Sequence, residues 1–240
     1  MINAALAKRF HSLSRIDRKV FDQEYEYRGQ KKNLLDKFSD RLGRAENSPF
    51  LGYIGKNYFD QKTKVVFVGK AGGESSSSDQ NCDLFFHEKF LEFQSSPGQI
   101  QDYLDYNEIT KLALSRWKIM IYINFFLFGV ERDLDSIAFC NIVPFRYRGS
   151  PTKRVMKIAF ENYTSDFLNL VQADMIIPLG GNLTSSIHDL WKSTYHGKII
   201  MAGIPRTNGD TWIDDRGSDC LNLCIKDHLH IRSARLKLVK

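Results

Sequence analysis

The chain has 240 residues, 42% of them hydrophobic and 12% aromatic, which is enough apolar material for one packed α/β core and argues against a disordered chain. The longest apolar run, Ile119 to Val130, is interrupted by Tyr122 and Asn124 and is too short to span a bilayer, so no membrane partner is expected. A net charge of +6 suits a polyanionic partner. The four cysteines, Cys82, Cys140, Cys220 and Cys224, lack paired zinc spacing; reduced thiols in a cytoplasmic protein are expected, with no metal and no cofactor. The first fifteen residues lack the pattern of a secretory signal.

Residues Ala4 to Leu42 read as helices, with Leu6, Phe10, Leu13, Ile16 and Phe21 at roughly helical spacing and a second helix over Lys31 to Leu42. The turn-rich "AENSPFLGYIGKNYFD" marks a boundary, so residues 1–46 are expected to be an N-terminal helical extension and 47–240 an α/β domain. From there strands and helices alternate. Lys64 to Val68 reads as a buried strand. "EITKLALSRWKIMIYINFFLFG" reads as a long helix, with Leu112, Trp117, Ile121 and Phe125 inward. Ser136 to Val143 is a second strand and "TKRVMKIAFENYTSDFLNLVQ" another helix. Ala173 to Gly181 and Gly197 to Gly209 are the third and fourth strands, separated by a helix over "NLTSSIHDLWKST", and a last helix follows Gly217. This alternation predicts a three-layer α/β/α domain around a mostly parallel four-stranded sheet.

In open α/β sheets, ligands bind beyond the carboxyl ends of the strands. The four predicted exits are "GKAGGESS", "NIVPFRYRGSP", "LGGNLTSS" and "GIPRTNGDTW", all rich in small, polar or basic residues. The first lets a ligand approach bare backbone N–H groups, which suits phosphate, sugar or base oxygens. It is not a phosphate-binding P-loop, because the G-x4-G-K-[ST] pattern is incomplete.

The ordered set "VVFVGKAGG", "AFCNIVPFRYRGSPTKR", "MIIPLGG" and "IIMAGIPRTNG" resembles the motifs of the uracil-DNA glycosylase superfamily, over roughly Lys64 to Trp212. The resemblance implies an enzyme that flips a nucleotide out of DNA and hydrolyses its N-glycosidic bond, leaving an abasic site. It implies a monofunctional hydrolase without an iron–sulfur cluster, since no cysteine precedes Cys82; a monomer is expected.

The same resemblance distributes roles over the exits. Asn141 matches the base-reading Asn, its amide carrying both donors and an acceptor; otherwise it simply caps the strand exit. Gly69, Ala71, Gly72 and Gly73 match the first base-pocket loop, with Phe85 and Phe86 supplying one stacking ring and one core ring, Phe85 the favoured stacker. Lys70 stands where relatives place an acid or a water-holding group, so Glu74 and Asn208 join Asn141 and Lys70 as candidate catalytic residues. Ile204 replaces the usual His, followed by Pro205, Arg206 and Thr207 as candidate DNA contacts. Arg146, Arg148, Lys153 and Arg154 form a basic loop expected along the phosphates. His87 reads as a structural or surface residue.

Gly73 stands where strict uracil enzymes carry a Tyr that blocks the C5 side of the base. A roomy pocket would admit a C5-substituted cytosine, such as a glucosylated hydroxymethylcytosine in viral DNA, which would suit antiviral defence; uracil is the other candidate. The departures at Lys70 and Ile204 equally fit a nucleic-acid-binding module that has lost catalysis. A protein binding free nucleotides is the third reading.

Overall fold

The computed structural model describes residues 2–16, 24–27, 30–33, 48–72, 80–115, 117, 119–120, 123–124, 127, 132–146, 151–179 and 200–201. Helix α1 (Ala4–Leu13) forms where the apolar spacing predicts it. Asn3 caps it, its side-chain oxygen accepting from the Leu6 N–H at 2.9 Å, which satisfies one of the first turn's orphan donors.

The expected continuation of helix to Leu42 is corrected by a hairpin. Strand β1 (Glu24–Tyr27) pairs antiparallel with β2 (Gln30–Asn33). Here "EYEY" alternates with the strand period, and the register sets Glu26 opposite Lys31; both favour a ladder over a helix. Residues 34–42 lie outside the described residues.

The main sheet joins β3 (Tyr53–Ile54), β4 (Val65–Gly72), β5 (Ile137–Arg146), β6 (Met175–Pro178) and β7 (Ile200–Met201) in the order β3-β5-β4-β6-β7. The chain is therefore mixed α/β. Strands β4 to β7 are the four expected strands, mutually parallel. Strand β3 is an addition, antiparallel at the edge beside β5, inside the segment that reads as a turn-rich boundary. Two residues are too few for strand periodicity to show in sequence.

Alternation divides the sheet residues between two apolar clusters. Val66, Val68, Ala138, Cys140 and Ile176 enter one; Val65, Phe67, Ile137, Phe139, Met175 and Ile177 enter the other. The first cluster takes its cover from α1, from α2 (Gln80–Ser95) and α3 (Ile100–Ser115), and from α4 (Lys153–Ala159) and α5 (Ser165–Val171), which a π-helical turn over Phe160–Thr164 connects. The second takes Leu114, Met120, Ile123 and Leu127. Leu112, expected inward, is half exposed: α3 buries Tyr103, Tyr106, Asn107, Thr110 and Leu114, a helical stripe that leaves Leu112 on the opposite side. The expected inward positions Ile121 and Phe125, and the helices expected after Gly181 and Gly217, lie outside the described residues. No helix among the described residues is long and apolar enough to cross a membrane.

Helix α1 is part of the core. Phe10 is fully buried, 5.1 Å edge-on to Tyr103 and within 6.1–6.5 Å of Phe93, Tyr106 and Phe167. His11 contacts the Phe93 carbonyl through Nε2 at 3.0 Å. Gly98, at φ +72°, turns the chain between α2 and α3 and leaves the space that the His11 ring fills.

Two polar clasps hold the β3 edge. Asn107 on α3 accepts from the Ile54 N–H at 3.1 Å and donates to its C=O at 2.8 Å, so one side chain stands in for a neighbouring strand. Asp135, at the amino end of β5, accepts from Tyr53 Oη at 2.9 Å and Lys111 Nζ at 2.6 Å, and pairs with Lys56 Nζ at 3.1 Å. Burial alone would raise the Asp135 pKa, but the hydrogen bonds from Lys111, Tyr53 and Lys56 outweigh it and hold the carboxyl below its ordinary 3.8.

Phe10→Ala is expected to cost about 3–5 kcal/mol, read as a lower midpoint in urea; a change under about 1 kcal/mol would show that α1 is dispensable. A lowered folded-state pKa means that Asp135 stabilises the fold above pH 3.8 and that this contribution is lost as pH falls through the folded value. Asp135→Asn is expected to reduce stability at pH 7 by about 1.5–3 kcal/mol and to flatten the loss of stability below pH 4. Urea midpoints of both proteins between pH 3 and pH 7 test this, and parallel curves would rule it out.

Candidate functional site

The strand order contains a topological switch point between β4 and β6. From the carboxyl end of β4 the chain crosses towards β5; from that of β6 it leaves the other way, towards β7. Adjacent strands whose connections part in opposite directions open a cleft at their carboxyl ends. The β4 end brings Gly69, Lys70, Ala71 and Gly72 to this edge, beside Asn141 of β5.

Parallel register sets Gly69 opposite Asn141. Period-2 alternation puts Asn141 on the sheet face of Phe139, and it is 2% exposed. Its amide nitrogen, Nδ2, is buried without a hydrogen-bond partner among the described residues. Gly69 makes the space for this amide. A Cβ there would collide with Asn141 Oδ1 and lie 3.3 Å from the Phe139 ring and 3.4 Å from Ile119 Cδ1. Any side chain at position 69 therefore competes with the amide for the same volume.

An aromatic wall continues from Phe139. Its ring centroid is 5.8 Å from Phe50 and 6.0 Å from Trp117; Phe50 is 4.7 Å from Trp117 and stacks on Phe86 at 6.1 Å and 26°. Phe50 is fixed at this end of the sheet because its N–H donates to the Pro144 carbonyl at 2.8 Å. Phe50 and Phe139 escape sequence reasoning. One lies in an apparent turn and the other in the middle of a strand, and neither bears a polar group.

Phe86 is half-buried in this wall, packed against both apolar clusters, whereas Phe85 is 42% exposed with Lys89 Nζ 5.8 Å from its ring centre. Beyond Asn141, the β4–β5 register jumps between Ala71 and Gly72, so that Gly72 pairs with Arg146. Lys153 and Arg154 are exposed at the start of α4, where Thr152 Oγ1 accepts from the Val155 N–H. Lys70, Arg146, Lys153 and Arg154 thus belong to the exits of two adjacent strands. Gly73, Glu74, Arg148, Pro205, Arg206, Thr207 and Asn208 lie outside the described residues.

Ser48 and His87 meet beside the wall, Ser48 Oγ against His87 Nδ1. Burial lowers the His87 pKa from its usual 6.5, against the opposing charge of Glu88. Chemically, the arrangement offers a buried amide donor, a half-buried aromatic ring at Phe86, partly exposed strand backbone over residues 70–72 and exposed cations at Lys153 and Arg154, which suits a flat ligand bearing hydrogen-bond acceptors and negative charge.

A buried donor left unpaired costs about 1–3 kcal/mol. Asn141→Ala is therefore expected to leave the midpoint of thermal unfolding unchanged or raised by a few degrees, measured by calorimetry. A fall of several degrees would instead make the amide a structural bond. No protein-family model matches the chain, and no curated protein matches it.

Proposed function

We propose that the chain is a DNA glycosylase that flips out a modified or damaged pyrimidine and hydrolyses its N-glycosidic bond. The observation that carries this reading is Asn141: a buried amide whose Nδ2 has no partner among the described residues, midway along the parallel strand β5 and facing a glycine. A base edge supplies the missing acceptor, and the Asn can offer its carbonyl to a donor on the same edge. The partly exposed end of β4, residues 70–72, admits the base, and Lys70, Arg146, Lys153 and Arg154 supply positive charge for the phosphates. The net charge of +6 and the four ordered motifs that resemble the uracil-DNA glycosylase superfamily support the same reading.

In this mechanism Asn141 holds and orients the base. Lys70 places a cation near the bond that breaks, where it stabilises negative charge on the departing base. Glu74 and Asn208 are assigned to the water that attacks C1′. The substrate is a C5-substituted cytosine or uracil, and the reaction needs no cofactor.

Lys70 in the place of an acid and Ile204 in the place of a His also favour a second reading, a module that binds DNA without cutting it. Oligonucleotides carrying uracil, mismatched thymine, hydroxymethylcytosine, its glucosylated form or hypoxanthine separate the two. One of them is expected to yield an alkali-labile abasic site, and Asn141→Ala is expected to lower that rate at least 100-fold. No product from any substrate, with salt-sensitive DNA binding intact, would establish the binding module and sink the enzyme.

A further inference from the structure

We propose that Ser48 and His87 form a proton-transfer pair for the candidate site, with His87 as the general base towards the attacking water; this rests on the glycosylase reading above. The pair joins segments 39 residues apart. Ser48 precedes Phe50, whose N–H is bound to Pro144 three residues beyond Asn141. Because β3 runs antiparallel to β5, the chain before Phe50 continues past the β5 exit, to the carboxyl edge. His87 follows Phe86, the ring stacked on Phe50. It lies two turns into α2, the helix that β4's exit leads into. Two adjacent rings of the aromatic wall are therefore the mounts on which Ser48 and His87 are carried.

Chemistry supplies the second argument. Glycoside hydrolysis needs an acceptor for the water proton; Lys70 and the rim cations cannot serve while protonated, and Glu74 and Asn208, assigned above to the water, hold and orient it while His87 takes its proton. A half-buried His whose pKa is lowered from 6.5 is neutral at pH 7 and able to accept. For Nε2 to be that acceptor, Nδ1 must carry the hydrogen and donate it to Ser48 Oγ. Ser48 then fixes both tautomer and ring orientation. Glu88, on the same helix, is the charge that opposes the lowering. As water oxygen bonds to C1′, the C1′–N bond breaks and its electron pair leaves with the base. The water proton passes to His87 Nε2 and then to the departing base, so the products are the sugar hydroxyl and the protonated base.

The test uses the full chain and the substrate found in the excision screen. His87→Gln is expected to lower kcat about 100-fold or more, with DNA affinity within twofold and the thermal midpoint retained. The wild-type kcat profile should fall on the acid side with an apparent pKa below 6.5, and this limb should vanish in His87→Gln. Ser48→Ala should lower kcat about tenfold and change the His87 tautomer read from ring 15N shifts. A His87→Gln protein with wild-type kcat and an unchanged acid limb would overturn the pair while leaving the glycosylase intact. A wild-type protein inactive on every substrate would overturn both.

Discussion

The pairing of Gly69 with Asn141 across two parallel strands is the constraint on which the site depends. One strand must surrender its side chain at the point where its neighbour carries a buried amide, since both cannot occupy the same space. The surrounding hydrophobic alternation keeps this match in place. A slip of β5 by one residue would send Asn141 towards the other apolar cluster and turn Phe139 to the wrong face. The deep valine and isoleucine ladder below is therefore the device that aims a polar group above.

Rigidity reaches the site through rings as well as strands. Phe10 of α1 lies 6.4 Å from Tyr106, Tyr106 lies 6.0 Å from Phe86, and Phe86 stacks on Phe50, which contacts Phe139 beside Gly69. The amino-terminal helix is thus connected to the pocket wall by packed aromatic contacts. Asn107 and Asp135 close the β3 edge, so neither the edge strand nor the wall that follows from it is left to slide. A binding group held on strands by packed neighbours is more accurately placed than one held on loops.

The four parallel strands were legible because β-branched runs between Gly- and Pro-rich exits carry their own period. Asn141 and Gly69 were legible as neighbours only through the family-like motifs; their register requires the sheet. The hairpin over Glu24–Tyr27 and Gln30–Asn33 was hidden by a basic, helix-compatible composition, although its Glu–Tyr alternation was visible. Leu112 misled because apolar identity alone does not fix a helix face; the stripe set by Tyr103, Tyr106 and Leu114 does. Ser48 and His87 carry no joint signal in sequence, since 39 residues separate them and neither lies in a recognisable pattern.

Charge and burial at the candidate site divide between surface and interior. Lys153 and Arg154 are exposed after the β5 exit, yet Asn141 is a buried neutral amide on the sheet face of the Phe139 cluster. A cation at position 141 would face the full penalty of burial, whereas a neutral donor faces only that of one missing hydrogen bond. Such a division suits a ligand whose negative charge stays outside and whose neutral, acceptor-bearing ring goes in. A nucleotide turned out of a duplex has this shape, with its phosphates at the surface and its base inserted. Lys70, partly exposed on β4 one residue beyond Gly69, would on the proposed glycosylase reading lie nearest the sugar that joins them. That position ties Lys70 to the proton chemistry proposed for His87: a cation there can hold charge on a leaving group, but the proton of the attacking water must go elsewhere.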